Sequence, residues 1–353
     1  MKQNLNWLQI YRLKGLKTSR LFVLIIVAVL LSSCTKEASL VKREAFLMNT
    51  VLTVSIDGDE EVLDKVFERL EEIDRLYNRK NESSEIYLIN NHKLIRPSKE
   101  VYDLLDRSFQ YAKVTDGAFN PAIGPLVDLW GIDGTGRELS SIPSADEIKK
   151  TIPLCDYNNV SIKDREVNLP EEMSIDLGAI VKGYATDEIV KILRDDGIKS
   201  AIIDLGGNIF AYGEKAGGNN WRIGVADPFI ENRESLLVLE GKDFSLVTSG
   251  NYERYIIYKG KKYHHILDTG TGMPAENELA SVSIISAKSE LCDMLSTTLF
   301  VNGIEKGVET IKNFDAGVIF VTKDKRILAS SNIYNMINLD SIKEGFILEK
   351  IDD

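Results

Sequence analysis

Between Glu60 and Tyr77, apolar Val62, Leu63, Val66, Phe67, Leu70, Ile73, Leu76 and Tyr77 recur at intervals of three and four, which predicts a helix with one buried face. Lys99 to Val114 repeats that logic through Val101, Leu104, Leu105, Phe109 and Ala112. Ahead of both, Phe46 to Ile56 (FLMNTVLTVSI) mixes apolar and β-branched residues and predicts a strand. The stretch GAFNPAIGPLVDLWG, from Gly117 to Gly131, predicts a structured loop, because its Gly and Pro residues exclude one continuous helix. A short helix at Ala145 to Thr151, brief strands near Val160 and Val167 and a helix from Tyr184 to Arg194 follow. Strand patterns then dominate: SAIIDLGGNIFAYG, WRIGVADP, SLLVLEG, FSLVTSG, YERYIIYKGKKYHHIL and ASVSIISA are separated by turn residues. A helix from Glu290 to Val301 precedes strands at Ala316 to Val321 and Arg326 to Ser330. Helices in front, strands in the middle and no regular βαβ alternation predict an α+β body, one unit with two lobes, mixed sheets and flanking helices. The missing alternation argues against a solute-binding lipoprotein.

The first 33 residues follow a different pattern. Lys2, Arg12, Lys14, Lys17 and Arg20 appear with no acid, and an apolar run from Leu21 to Leu31 leads into Ser32, Ser33 and Cys34. That is the layout of a secretory signal, with an apolar run shorter than the ~20 residues of a membrane span. Leu31 and the two serines before Cys34 resemble a bacterial lipobox, in which the cysteine is lipidated; the competing reading is an uncleaved anchor helix. The expected division is 1–33 signal peptide, 34–44 lipidated terminus and linker, and 45–353 body, held outside the cytoplasmic membrane by a lipid anchor on Cys34.

Charge narrows the ligands. The whole chain carries a formal −11, and its first 33 residues hold five positive charges, so the remainder stands at −16. An acidic body argues against nucleic acid and against anionic small molecules unless a metal accompanies them. Beyond Cys34 only Cys155 and Cys292 remain, too few for a disulfide framework or a zinc site, and they read as reduced thiols.

Five stretches carry candidate chemistry. In LCDMLSTTLF, Asp293 and Thr297 stand four apart and share a helix face, a carboxylate and a hydroxyl suited to a hard cation such as Mg²⁺. The bland alternative is a threonine bonded back to its own helix beside a solvated acid. In SIDLGAIVKGYATD an acid, small residues and a lysine precede a helix, as a ligand or a tight turn would require. Strand alternation sends His264 and His265 to opposite faces, and the neighbouring turn makes His265 a candidate general base. IDLGGNIFAYG and SLVTSGNYERY each place Gly at a strand end, where backbone comes close to a ligand or to another strand.

Taken in order, FLMNTV, YNRKNESSEIYLIN, DGAFNPAIGPLVDLWG, SIDLGAIVKGYATD, IDLGGNI, WRIGVADP, TSGNYERY, HHILDTGTGMP and CDMLSTTLFVNG resemble the ApbE family, FAD:protein FMN transferases, from about Phe46 to Val301. The resemblance implies FAD as substrate, held by Met48, Lys80, Ala118, Phe119, Asn120, Asp176 and Lys182 in a cleft between lobes. It implies Mg²⁺ held by the main-chain oxygen of Ala179 with Asp293 and Thr297, and His265 as base. The implied reaction moves FMN to a Thr or Ser hydroxyl of an acceptor protein through a phosphoester and releases AMP. Implied acceptors are redox subunits of the Rnf or Na⁺-translocating NADH:quinone reductase type. Lys80 stands where many relatives carry an aromatic, Asn120 replaces a frequent Asp, and DTGTG lacks the Pro and basic residue of DPRTG or DPKTG. Two rival expectations share these residues: a FAD pyrophosphatase yielding FMN and AMP, and a non-catalytic flavin-binding lipoprotein.

Overall fold

The computed structural model describes residues 40–351 apart from 216 and 231–233. The signal-like leader, its lipobox and Cys34 lie outside the described residues.

A nine-stranded sheet organises the body, and its strands neighbour one another in chain order: β1 (Val41–Leu47), β2 (Thr50–Ile56), β3 (Ser200–Leu205), β4 (Asn208–Gly213), β5 (Phe244–Gly250), β6 (Leu279–Ser286), β7 (Gly317–Thr322), β8 (Arg326–Ser330) and β9 (Ile347–Ile351). Every pairing is antiparallel except the last, β8 with β9. Leu52, Val54 and Ile56 on β2 and Ala201, Ile203 and Leu205 on β3 alternate onto one face, which four helices cover. These are α1 (Glu60–Tyr77), α2 (Lys99–Val114), α3 (Val181–Asp195) and α4 (Ser289–Ile311). On the opposite face, Ala211, Leu246, Ile285, Ile319 and Val321 pack against a ribbon formed by Trp221–Ala226 and Ser235–Gly241. Because β6 and β7 are covered on both faces, LASVSIIS and GVIFVT are buried at every position.

A third, smaller core gathers Leu126, Trp130, Ile132, Ile148, Cys155, Ile256 and Leu267. Trp130 stacks on Tyr263 with ring centroids 5.6 Å apart, and its indole N–H donates to the Gly272 carbonyl at 2.8 Å. This is the minor lobe of the expected α+β, two-lobed body.

Several boundaries differ from the sequence expectation for physical reasons. Gly124–Trp130 is a helix: Pro125 sits in its first turn, where a missing N–H costs nothing, and Gly131 ends it in the left-handed region. Helix α3 begins at Val181, so Lys182 and Gly183 belong to its first turn. Helix α4 continues past Val301 to Ile311, broken at Gly303 (φ 72°, ψ −173°), and Glu278 accepts the Ile304 N–H at 2.9 Å where it resumes. The first strand begins at Val41, ahead of Phe46, and β9 and a short helix at Glu85–Asn90 are additional elements.

Candidate functional site

The junction of α3 and α4 is unusually close. A Cβ on Gly183 would stand 2.3 Å from the Ser289 carbonyl oxygen and 2.7 Å from Glu290 Cα, so only glycine lets the two backbones approach this way. Lys288 supplies no side-chain cap to α4; Asp187 of α3 does, accepting the N–H groups of Ser289 (2.8 Å) and Glu290 (3.0 Å). Burial, partly offset by those two bonds, raises the Asp187 pKa to about 6.

That packing puts Asp293, 4% exposed, beneath the N-terminus of α3. Its Oδ2 accepts the Gly183 N–H at 3.0 Å, and its Oδ1 lies 3.5 Å from Lys182 Nζ, which also donates to the Gly178 carbonyl at 3.3 Å. In an uninterrupted helix the Gly183 N–H would bond to Ala179; with Asp293 taking it, the Ala179 carbonyl accepts no hydrogen bond among the described residues. One turn beyond Asp293, the Thr297 hydroxyl is likewise without a hydrogen bond among the described residues, whereas its neighbour Thr298 bonds back to Met294 at 2.9 Å. The back-bonded alternative therefore describes Thr298 and not Thr297. A buried carboxylate, an unpaired carbonyl and an unpaired hydroxyl form a hard oxygen set, and these residues fit Mg²⁺.

Asp176 sits just ahead, on a loop zipped to the GAFNPAIG stretch by Asp176 N–H to Pro121 O (2.8 Å) and Gly124 N–H to Ser174 O (3.1 Å). Its Oδ1 accepts the Gly178 N–H at 2.7 Å, and its Oδ2 lies 3.5 Å from Arg79 Nε. Arg79 also makes a two-pronged contact with Asp128 at 2.8 and 2.7 Å. Arg79 has no local signal in the sequence, because its carboxylate partners Asp128 and Asp176 lie far away in the chain.

Met48 and Asn49 form the β1–β2 turn, both with positive φ (50° and 60°), and Thr50 beside them packs against Gly206. The Met48 N–H donates to Asp74 Oδ1 at 3.2 Å, Asn78 Nδ2 donates to the same oxygen at 3.4 Å, and Asn78 Oδ1 accepts the Lys80 N–H at 3.1 Å. Met48 and exposed Lys80 thus hang on one polar chain at the end of α1.

A cleft of about 570 Å³ runs between the lobes, lined by Gly117, Ala118 and Asn120 with Cys155, Tyr157, Asp268, Thr269, Gly270, Val301 and Asn302. Val301 lies two turns after Asp293 on α4. Asn120 spends its side chain on structure, donating to the Cys155 carbonyl (2.8 Å) and accepting the Ala122 N–H (2.8 Å). Phe119 is 2% exposed and packs edge-on against Tyr111. Ala118 is the member of this trio whose side chain is not committed to the interior. The DTGTG turn holds itself without proline: Asp268 accepts the Gly270 N–H and the Thr271 hydroxyl, both at 2.9 Å.

The two histidines have separate duties. His264 Nε2 meets the Ala275 carbonyl at 2.9 Å, its Nδ1 accepts the Ile266 N–H at 3.3 Å, and its ring stands edge-on to Phe300. His265 Nδ1 bonds the Arg254 carbonyl at 3.1 Å, which requires the proton on Nδ1 and leaves the lone pair on Nε2. His265 is half-buried; desolvation first, then the Arg254 charge, lowers its pKa to about 3, and the Lys182 charge adds to this. Burial likewise lowers His264 to about 4. Cys155 and Cys292 are free, buried thiols; desolvation raises Cys155 to about 11 and Cys292 further.

The sequence profile of the ApbE family matches residues 48–321. The chain is 34% identical over 308 residues to a FAD:protein FMN transferase of Treponema pallidum, covering 82% of this chain and 84% of the relative. It is 36% identical over 295 residues to a FAD:protein FMN transferase of Klebsiella pneumoniae, covering 81% and 90%. Among solved structures, the ApbE protein of Thermotoga maritima superposes with a TM-score of 0.77 at 30% identity, covering 84% of this chain and 99% of that one.

Proposed function

The chain belongs to the ApbE family, and from that premise we propose that it is a Mg²⁺-dependent transferase that moves FMN from FAD to a Thr or Ser hydroxyl of an acceptor protein. The observation that carries this reading is the α3–α4 junction, where buried Asp293 takes the Gly183 N–H and pairs with Lys182, while the Ala179 carbonyl and, one turn along α4, the Thr297 hydroxyl have no hydrogen bond among the described residues. These three oxygens would hold the ion, which supplies charge neutralisation at the pyrophosphate. Lys182 adds a positive charge to the same region, against the −16 of residues 34–353.

His265 Nε2 takes the proton of the acceptor hydroxyl, whose oxygen attacks the phosphorus on the riboflavin side of FAD. The bond from that phosphorus to the bridging oxygen breaks, AMP leaves with that oxygen, and FMN stays on the acceptor as a phosphoester. The Arg254 carbonyl fixes the tautomer that this step needs. Asp176, Lys182, Ala118 and the main chain of Met48, Phe119 and Asn120 bind and orient the dinucleotide, with Lys80 at the rim. Redox subunits of the Rnf or NADH:quinone reductase type suit such an acceptor. Cys34 would carry the lipid that keeps the body at an extracytoplasmic membrane surface, and Cys34→Ser should then release it from the membrane fraction.

The deciding experiment incubates the protein with FAD, Mg²⁺ and an acceptor domain carrying the target Thr, and weighs the acceptor by mass spectrometry. A gain of one FMN that chelator abolishes supports the reading. Free FMN and AMP with no gain would replace it with FAD hydrolysis.

A further inference from the structure

The site so proposed still needs a way to bring a polypeptide hydroxyl to His265. The hairpin Tyr255–Tyr258 with Lys261–His264 leads directly into that residue and turns through Lys259 and Gly260, both at positive φ (50° and 76°). In a two-residue turn of this kind the closing pair, Tyr258 and Lys261, exchanges both main-chain hydrogen bonds, and bonded pairs then alternate. Ile256 with Tyr263 and Arg254 with His265 are therefore bonded pairs, in agreement with the His265 N–H to Arg254 carbonyl bond of 3.1 Å. Lys262 and His264 turn their own N–H and C=O groups the other way, toward the outer edge, which is closed only beyond them, where the Ala275 N–H donates to the Ile266 carbonyl at 2.9 Å. Lys261–His264 is the outermost strand of its three-stranded sheet.

The side chains add charge to that edge. Ile256 and Tyr263 face the minor-lobe core, so Tyr255, Ile257 and Lys262 share the opposite, more accessible face. The Lys262 ammonium stands 4.3 Å from the Tyr255 ring centroid, and Lys259 lies 5.1 Å from that of Tyr258. Lys259 and Lys262 are exposed and have no acidic partner among the described residues; Lys261 has only a well-exposed contact of 3.4 Å with Glu276. In a body of such negative charge, uncompensated cations on one strand edge are specific information.

We propose that this hairpin is the docking arm for the acceptor, which presents an extended acidic segment. The segment pairs its main chain with the outer strand at Lys262, sets its carboxylates against Lys259 and Lys262, and so brings its hydroxyl residue to His265, where the open edge ends. An anionic bilayer offers matching charge but no main chain for a strand edge, and the acidity of the rest of the body opposes it. The proposal rests on the transferase reading and extends it to the chemistry of the acceptor.

The test uses a short fluorescein-labelled peptide with a central Thr flanked by Asp and Glu, its counterpart with Asn and Gln, and vesicles containing phosphatidylglycerol. Fluorescence anisotropy should show the acidic peptide binding more tightly than its neutral counterpart, less tightly as salt rises, and about tenfold more weakly to the double variant Lys259→Glu, Lys262→Glu. Flavin fluorescence should show FAD binding unchanged in that variant. Equal affinity for both peptides, no loss in the variant, or binding confined to vesicles would overturn the docking arm while normal FAD binding left the transferase reading standing. Failure of the unsubstituted protein to bind FAD would instead remove the transferase reading.

Discussion

Lys182 Nζ and Asp293 Oδ1 lie 3.5 Å apart across two helices that touch backbone to backbone at Gly183. The pair places one fixed negative charge and one positive charge where α3 begins and its first-turn N–H groups add a positive potential. Asp293→Ala would leave Lys182 and the Gly183 N–H without that acceptor. FMN transfer should fall by about 10²-fold or more and lose its response to Mg²⁺. Stability should fall by about 1–3 kcal/mol, since a buried donor loses its partner. A Mg²⁺ titration of the transfer rate beside a urea titration separates the two effects; a normal Mg²⁺ response in the variant contradicts the metal assignment.

Gly183→Ala tests the approach itself. Its Cβ would meet main-chain atoms of Ser289 and Glu290, which cannot swing aside as a flexible side chain can. The expected cost is about 1–3 kcal/mol, with α3 pushed away from α4 and Asp293 drawn from Lys182. Urea midpoints measure the first effect and FAD affinity the second. Wild-type values for both would mean that the junction yields more easily than its geometry implies.

How much of this was legible beforehand depends on the range of the interaction. Helices α1 and α2 follow from periodicity because each buries one stripe against one sheet. The Asp293–Thr297 pair was legible because four residues make one helical turn. The start of α3 was not: a carboxylate 110 positions away takes the Gly183 N–H, and no local pattern encodes that. Gly303 hid the continuation of α4 for a similar reason, its restart being held by Glu278 on another segment. Phe119 and Asn120 lie in the expected loop, yet their side chains serve the core, a choice set by Tyr111 and Cys155.

Acid should weaken the fold in a window set by opposing groups. His264 and His265, lowered to about 4 and 3 from an ordinary 6.5, stay neutral when folded but take up protons when unfolded, so their contribution is lost as pH falls below 6.5. Asp187, raised to about 6 from 3.8, acts in reverse: the folded chain keeps a proton that the unfolded chain releases, so its contribution is lost as pH rises from about 4 to 6. Near pH 5 the unfolded state gains two protons and the folded state one, and stability should fall by about 1.4 kcal/mol per pH unit on acidification. Urea midpoints from pH 4.5 to 7 measure that slope, and His264→Gln should flatten it. A steeper slope in that variant would contradict the assignment of His264 as neutral.

Arg79 should act by positioning Asp176. The side chain is 14% exposed, its Nε has no hydrogen bond among the described residues, and its charge lies against Asp176, proposed above to bind the dinucleotide, and Asp128 on the minor-lobe helix. Arg79→Lys keeps the charge but loses the two-pronged fork, and Arg79→Gln loses both. Hydrogen bonds to charged groups contribute about 1.5–3 kcal/mol, so Gln should raise the KM for FAD by about 10- to 100-fold with a much smaller change in kcat, and Lys should restore part of it. A purely structural role would lower stability in both variants and leave the KM of the folded enzyme unchanged. If instead kcat fell and KM held, Arg79 would act on the reacting phosphates, and the placement of Asp176 as a binding group would have to be revised with it.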